Sequence, residues 1–234
     1  IGVEKDEEQV THASENVSSL VSVDANDLIG RHCRILDKLI TGPGFLFSHY
    51  AASLSKGNES LSNHYPVVTC NNISFYLIHS FSNNYLIFET EPVLQEGDVS
   101  DKIFEIVDTV IGQNIIADIM DAAVSEIKRI TGFERVMIYQ FLNDGSGHVV
   151  AEAIDGGLEP FMGLRYPETD IPRQARELYK KNHIRLIHEA GGPTPLVISS
   201  TPAALDLTYS VLRAVSPTHI EYLKNMGVTS SYSV

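Results

Sequence analysis

Residues 207–228 read Leu207-Thr-Tyr-Ser-Val-Leu-Arg213-Ala-Val-Ser216-Pro217-Thr-His219-Ile-Glu-Tyr222-Leu223-Lys-Asn-Met226-Gly227-Val228, and Thr229-Ser-Ser231-Tyr-Ser233-Val234 follows. Ser216-Pro217 is a helix start, a serine cap followed by proline at the first helical position, where its missing N–H goes unused. Gly227 is a helix stop. The spacing predicts a helix from 216 to 226, with His219, Tyr222, Leu223 and Met226 on one face. A histidine in the first turn sits at the positive end of the helix dipole, which disfavours the imidazolium and predicts a neutral ring. The alternation after Gly227 predicts a strand with Thr229, Ser231 and Ser233 on one side. A buried row of hydroxyls needs polar partners, and an oxygen-rich ligand would supply them. The competing reading of His219 is a satisfied core histidine.

Upstream of this stretch, residues 170–182 predict a helix with Asp170 as N-cap and Pro172 in its first turn, and 184–187 a short strand. Residues 191–206, rich in Pro, Gly, Ser and Thr, read as a loop, long enough to point to function. Residues 135–141 and 148–153 predict a hairpin over Asn143-Asp-Gly-Ser-Gly147. Residues 101–130 read as one continuous helix, because Ile103, Val107, Val110, Ile111, Ile115, Ile119, Ala122, Ala123, Ile127 and Ile130 recur near helical spacing, and Thr131-Gly132 ends it. A helix of that length spans about 45 Å, which suggests either packing on a second subunit or a protruding helix that faces its own core. Gln95-Glu-Gly-Asp98 reads as a linker.

The first part of the chain is built differently. Residues 73–79 and 85–92 face each other across Ser82-Asn83-Asn84 as a hairpin. Gly57-Asn-Glu-Ser60 is loop-like, 24–39 is helical with Leu28, Ile29, Cys33, Leu36 and Leu39 on one side, Gly42-Pro43-Gly44 breaks it, and 10–14 is a strand after an acidic turn at 4–8. The fold class is α+β.

Composition excludes several classes. With 234 residues, 43% of them hydrophobic, and a mean hydropathy of −0.02, the chain can bury a substantial core. Its net charge of −13 argues against wrapping nucleic acid or binding an anionic membrane through bulk charge. No apolar run reaches the roughly 18–20 residues of a membrane span, and no signal peptide opens the chain. The two cysteines, Cys33 and Cys70, form neither a disulfide framework nor a CxxC site, so a reducing cytoplasm is the expected location. The chain begins at Ile1 without an initiator methionine and is expected to be a fragment or a processed chain.

The charge is uneven. From 165 to 185 the six cations Arg165, Arg173, Arg176, Lys180, Lys181 and Arg185 outnumber the three acids Glu168, Asp170 and Glu177, leaving −16 for the rest of the chain (−13 − 3). Arg185 and Arg213 are expected to border the same cavity as His219. Two planar forks there would suit a ligand with two carboxylates; surface ion pairing is the alternative. Arg173, Arg176, Lys180 and Lys181 read as solvated surface. Catalytic motifs are absent: there is no GxxxxGK[ST], HExxH or GxSxG.

Three long segments carry a family resemblance. Residues 131–142 (Thr-Gly-Phe-Glu-Arg-Val-Met-Ile-Tyr-Gln-Phe-Leu), 165–179 (Arg-Tyr-Pro-Glu-Thr-Asp170-Ile171-Pro172-Arg-Gln-Ala-Arg-Glu-Leu-Tyr179) and 207–228 closely resemble the phytochrome photoreceptors, in particular the bacterial type. Val10-Thr-His-Ala-Ser-Glu-Asn and Leu86-Ile-Phe-Glu-Thr-Glu-Pro92 resemble that family's PAS domain. The resemblance implies a PAS domain at 1–97 followed by a GAF domain at 98–234, each an antiparallel sheet with flanking helices, and a possible figure-eight knot through the loop at 191–206, which is short for that insertion. Both domains are expected to be truncated, the PAS at its start and the GAF in its last strands.

The resemblance further implies a red/far-red light receptor that binds biliverdin, a linear tetrapyrrole, and passes its Z/E isomerisation to an output domain, commonly a histidine kinase. Carried over by position, the Asp170 carbonyl in the Asp170-Ile171-Pro172 motif would accept from pyrrole N–H groups, and His219 would lie beside the rings. Arg185 and Arg213, helped by Ser216, Ser231 and Ser233, would hold the propionates, while Met137, Tyr139, Tyr166, Tyr179 and Tyr222 would shape the pocket. Where plant members carry an attachment cysteine before the motif histidine, this chain has Thr218, so attachment to a cysteine upstream of the PAS domain is expected. The expected partners are a second copy through the 101–130 helix and downstream PHY-type and output domains. Two other readings are a PAS–GAF sensory or dimerisation module that has lost bilin binding, and a GAF domain for another small anion such as a cyclic nucleotide.

Overall fold

The computed structural model describes residues 1–56, 65–93, 99–202 and 204–234, for 99–103 the backbone alone. The expected loop at 57–60, the expected linker at 95–98 and the side chain of Ile103 lie outside what is described. The chain falls into two compact units, Ile1–Leu94 with Leu178–Val234, and Gln95–Glu177.

The first unit begins with β1 (Gly2–Glu4), β2 (Val10–Ser14), helices α1 (Val17–Val21) and α2 (Ala25–Leu28), a 3-10 turn (Cys33–Lys38), β3 (Thr41–Gly42), β4 (Phe45–Leu46), α3 (Phe47–Ser55), β5 (Val67–Cys70), β6 (Ile73–Ser82) and β7 (Tyr85–Pro92). The second unit holds α4 (Val99–Ile111), α5 (Ile116–Thr131), β8 (Arg135–Phe141), β9 (Gly147–Ile154), β10 (Arg165–Tyr166) and most of α6 (Arg173–Tyr179). The chain then returns to the first unit with β11 (Arg185–Ile187), β12 (Val197–Ser199), α7 (Pro217–Asn225) and β13 (Ser231–Ser233).

Eight strands of the first unit form one sheet in the order β12-β2-β1-β7-β6-β5-β3-β4. Two asparagine pairs make its tight turns. Asn71 and Asn72 both take left-handed φ values, 47° and 64°, as the two-residue turn between β5 and β6 requires. Asn83, at 49°, turns β6 into β7, so the second hairpin expected from sequence forms in register from Phe75↔Pro92 to Ser82↔Tyr85. Val3, Val10, Leu28, Leu36, Phe47, Leu77 and Leu86 are buried against one face, each worth about 1.5–3 kcal/mol when fully removed from water.

Two connections bring 178–234 into this unit. β12 pairs with β2 (Val197↔Ser14, Ile198↔Ala13, Ser199↔His12), so the expected loop at 191–206 contains an edge strand. On β7, the Glu89 carboxylate accepts from Ser210 Oγ at 2.6 Å and from the N–H groups of Val211 at 2.9 Å and Leu212 at 2.8 Å. That carboxylate fixes the approach to Arg213.

The second unit differs from expectation in two places. The helix expected over 101–130 is two helices. The chain leaves the helix at Gly112, a poorer helix former than the residues around it, and Ile115 is extended (φ −114°, ψ 132°) ahead of α5. Gly132, with φ 69°, closes α5 as expected. Helix α6 begins at Arg173, not after Asp170: the Pro172 carbonyl accepts the first helical N–H groups, from Ala175 at 2.8 Å and Arg176 at 3.2 Å. Pro172 biases Ile171 away from the helical region, so the helix cannot start earlier. Asp170 instead lies in a turn and donates its own N–H to the Pro167 carbonyl at 3.2 Å. The expected hairpin of β8 and β9 forms, β10 adds to it, and Val124 of α5 is buried in the same unit as Val149 and Ala151.

Candidate functional site

In the first unit, β11 and β13 pair antiparallel with Arg185 opposite Ser233, Leu186 opposite Tyr232 and Ile187 opposite Ser231. Opposite residues share a face, so Arg185, Ile187, Ser231 and Ser233 lie on one side and Tyr232 on the other. Thr229 precedes β13 instead of belonging to it, and its carbonyl accepts the Ala190 N–H at 2.6 Å. Arg185 donates from Nη2 to the Ala214 carbonyl at 3.2 Å, while its Nη1 is buried without a hydrogen-bond partner. Burial lowers its guanidinium pKa, the positive charge of Arg213 lowers it further, and Tyr179 opposes them. A buried cationic donor beside a second cation is costly for the protein alone. It is suited to an anion that the protein lacks.

Helix α7 forms as the Ser216-Pro217 start predicts, and the Ser216 hydroxyl accepts the His219 N–H at 3.3 Å. His219 stacks on Tyr222 with centroids 6.2 Å apart and planes 17° from parallel, and Leu223 below them is buried. Burial first, and Arg185 second, push the His219 pKa below its ordinary 6.5. Both causes favour the neutral ring, the same direction as the dipole argument. Arg213 donates from Nη1 to the carbonyls of Leu207 at 3.3 Å and Thr208 at 2.5 Å, which aims its fork from its own loop. The structure therefore brings Arg185, Arg213, Tyr179 and His219 within electrostatic reach.

In the second unit, the Tyr139 ring lies 5.9 Å from that of Tyr166 and 5.2 Å from that of Phe141. Burial raises both phenol pKa values, and the Asp170 carboxylate raises both further, so Asp170 lies in the electrostatic reach of both tyrosines. Gly147 packs so closely that a Cβ there would overlap the Tyr139 ring. Met137 is exposed on β8, Pro172 is exposed at the head of α6, and Ile171 is partly buried before it. Arg176, expected as solvated surface, is 14% exposed and bonds Gly145 and Glu168. Sequence reasoning also missed Glu152. Its side chain is 3% exposed, and its carboxylate pairs with Arg135 and accepts the N–H groups of Phe161 and Met162 at 2.8 Å each.

A cleft of about 830 Å³ in the first unit is lined by Leu186, Gly191, Arg213, Val215, Ile220 and Lys224 among others; of the expected site residues it includes Arg213 alone. Glu8, His32 and Cys33 form the one cluster of metal-ligand type among the described residues. There His32 Nδ1 accepts the Arg34 N–H at 3.2 Å, which puts the proton of a neutral ring on Nε2, the nitrogen 3.4 Å from Glu8. That tautomer makes the group a helix cap, not a ready ligand set.

A cyanobacterial phytochrome B from Nostoc is 43% identical over 171 residues, 69% of this chain and 23% of that protein. A bacteriophytochrome from Pseudomonas aeruginosa is 47% identical over 125 residues, 52% of this chain and 17% of that protein. The solved chromophore-binding domain of Stigmatella aurantiaca phytochrome P1 is 32% identical and superposes with a TM-score of 0.85, covering 99% of this chain and 78% of that one. The chain belongs to the phytochrome family. No family model matches it. It shares the mixed helix and antiparallel-sheet fold of that family's chromophore-binding domains. A sensory module of another kind is not favoured by these relatives. The chain spans less than a quarter of the length of the two curated phytochromes. Among the described residues no helix is long and apolar enough to cross a membrane.

Proposed function

We propose that this chain holds biliverdin and serves a bacterial red/far-red receptor in the cytoplasm. The observation that carries the reading is Arg185: a half-buried guanidinium whose Nη1 is buried and unpartnered, next to Arg213 and a His219 whose pKa is lowered, on the same sheet face as Ser231 and Ser233. That donor set fits a carboxylate, and two arginine forks fit the two propionates of a bilin.

A bound bilin supplies visible absorption and a double bond that isomerises in light. The protein residues do the rest. Arg185 and Arg213 hold the propionates, with Ser216, Ser231 and Ser233 as hydroxyl donors. Neutral His219 and the Asp170 carbonyl accept from pyrrole N–H groups, which keeps those nitrogens protonated. Ile171 and Pro172 hold that carbonyl in its turn, and Met137, Tyr139, Tyr166, Tyr179 and Tyr222 bound the rings. Cys33 and Cys70 are buried in the first unit's core, at 0% and 1% exposure, which supports thioether attachment to a cysteine N-terminal to this chain. We assign 1–97 to a PAS and 98–234 to a GAF domain, with PHY-type and output domains beyond, commonly a histidine kinase. Phe104, Ile111, Ile115 and Ile116, 62–75% exposed on and between α4 and α5, support a homodimer through the 101–130 region.

The test is an absorption spectrum of the intact receptor with biliverdin, before and after red illumination. A red band that shifts in light is expected; absence of any band overturns the reading.

A further inference from the structure

The second unit contains a link between its helix α6 and the Tyr139 ring that no expectation included. Arg176 of α6 donates from Nη1 to the Gly145 carbonyl at 2.8 Å and from Nη2 to Glu168 Oε1 at 2.5 Å, and its guanidinium lies 5.6 Å from the Phe141 ring centroid. Gly145 and Phe141 belong to the turn and strand end joining β8 to β9. That turn is internally closed: Leu142 N–H donates to Ser146 O at 2.7 Å, Gly145 N–H to Leu142 O at 3.0 Å, and Ser146 donates to Asp144 from its hydroxyl at 2.6 Å.

Two glycines let the parts meet. Gly145 has φ 84°, and a Cβ there would sit 2.7 Å from Glu168 Cδ, so the Glu168 carboxylate occupies the space of a side chain. Gly147, two residues on, is buried with the Tyr139 ring where its side chain would be. Glu168 itself lies two residues before Asp170. One guanidinium thus binds the segment that carries Asp170 and the turn on which Tyr139 rests. A bidentate arginine transmits geometry, because both donors move as one rigid plane.

We propose that Arg176 is a positioning residue that fixes the Tyr139 ring through the 142–147 turn. It couples movement of the Asp170 segment to that ring. The effect on light conversion rests on the bilin reading above; the effect on the ring does not. Arg176 also opposes the upward pull of Asp170 on the Tyr139 phenol, so its loss should be felt electrostatically as well.

The experiment labels the intact receptor with 3-fluorotyrosine, assigns the Tyr139 resonance by Tyr139→Phe, and reads ¹⁹F spectra without and with biliverdin. Arg176→Ala is expected to shift or broaden that resonance in the apo protein and to lower photoconversion yield severalfold in the loaded one. Arg176→Lys, which keeps the charge but replaces the rigid two-nitrogen fork by a single ammonium, is the milder variant and is expected to move the resonance less, in the same direction. Gly147→Ala, which displaces the ring directly, should reproduce the effect, and combining it with Arg176→Ala should add little. An unmoved Tyr139 resonance in folded Arg176→Ala or Arg176→Lys overturns the proposal. Failure of the wild-type receptor to bind biliverdin overturns only the bilin reading, because the apo spectra still decide the coupling.

Discussion

Arg135 and Arg185 are both shielded arginines in strands, yet their surroundings are opposite. Arg135 pairs with Glu152, donates to the Glu159 carbonyl at 2.6 Å, and lies over the Phe161 ring with its guanidinium carbon 3.5 Å from the centroid. Both terminal nitrogens of its fork are used, and Glu152 in turn holds the backbone of Phe161 and Met162. Arg185 has one backbone carbonyl, an unpartnered Nη1 and a like charge nearby. Nothing in folding requires that arrangement. A structural arginine is satisfied by its own chain, whereas a receptor arginine is left short by the number of bonds its ligand will make.

The largest effect should come from breaking the satisfied pair. Glu152→Ala strands a shielded guanidinium and two backbone donors, so unfolding free energy should fall by about 3–5 kcal/mol in a denaturant titration. A loss under about 1 kcal/mol would place this pair with ordinary surface bridges and erase the contrast. Arg185→Met should behave in the opposite way. Without ligand its stability should be unchanged or raised by about 1 kcal/mol, since a desolvated charge is removed, while bilin affinity should weaken by about 2–5 kcal/mol. Apo destabilisation as large as that of Glu152→Ala would make Arg185 structural and remove the basis for the propionate assignment.

The contrast was only half legible in the sequence. The arginine forks and the neutral histidine could be read from residue type and the Ser216-Pro217 start, both local signals. That Arg185 Nη1 is left unpartnered depends on β11 and β13 pairing across more than forty residues of chain, which no periodicity encodes. Asn83-Asn84 marks its hairpin because long β-branched and aromatic runs flank it; Asn71-Asn72 makes an equally tight turn but follows the short β5, which gives no comparable flanking signal. Strand β12 has three residues and draws its register from β2, far away in sequence, so no local signal separates it from loop. The break between α4 and α5 was hidden because the apolar spacing continues through Ile115. Roles for Asp170 and the pocket tyrosines came from family resemblance, and the braces at Arg176, Glu152 and Glu89 carried no sequence signal beyond being charged residues.

A smaller effect separates two histidines in the first unit. Burial lowers the His79 pKa and so favours its neutral form, and Tyr50 Oη meets its Nδ1 at 2.9 Å. His219 is lowered by burial and also by Arg185. Both folded-state values lie below the ordinary 6.5, so the folded protein binds fewer protons than the unfolded chain below that pH. Stability should therefore be full above about pH 6.5 and decline as pH falls through the depressed values. Arg185→Met should raise the His219 midpoint and leave that of His79 in place, read from imidazole resonances during an NMR titration. Equal movement of both, or of neither, would deny that Arg185 acts on His219 specifically.

The smallest expected effect tests whether Ser216 belongs with the satisfied or the unsatisfied group. Its hydroxyl caps α7 at the His219 N–H, a role that the chain fulfils alone. Ser216→Ala should therefore cost about 1 kcal/mol of stability without any ligand. A carboxylate is as good a cap as a hydroxyl and suits the positive end of the helix, so Ser216→Asp should restore apo stability. If the same hydroxyl also faces a propionate, the new negative charge repels it, and bilin affinity should fall although the helix is intact. Wild-type affinity in Ser216→Asp would confine Ser216 to capping and leave the propionates to Arg185, Arg213, Ser231 and Ser233. Lost affinity with retained stability would give one serine both kinds of task, because an oxygen that accepts from the helix N–H can still donate its own hydrogen to a ligand.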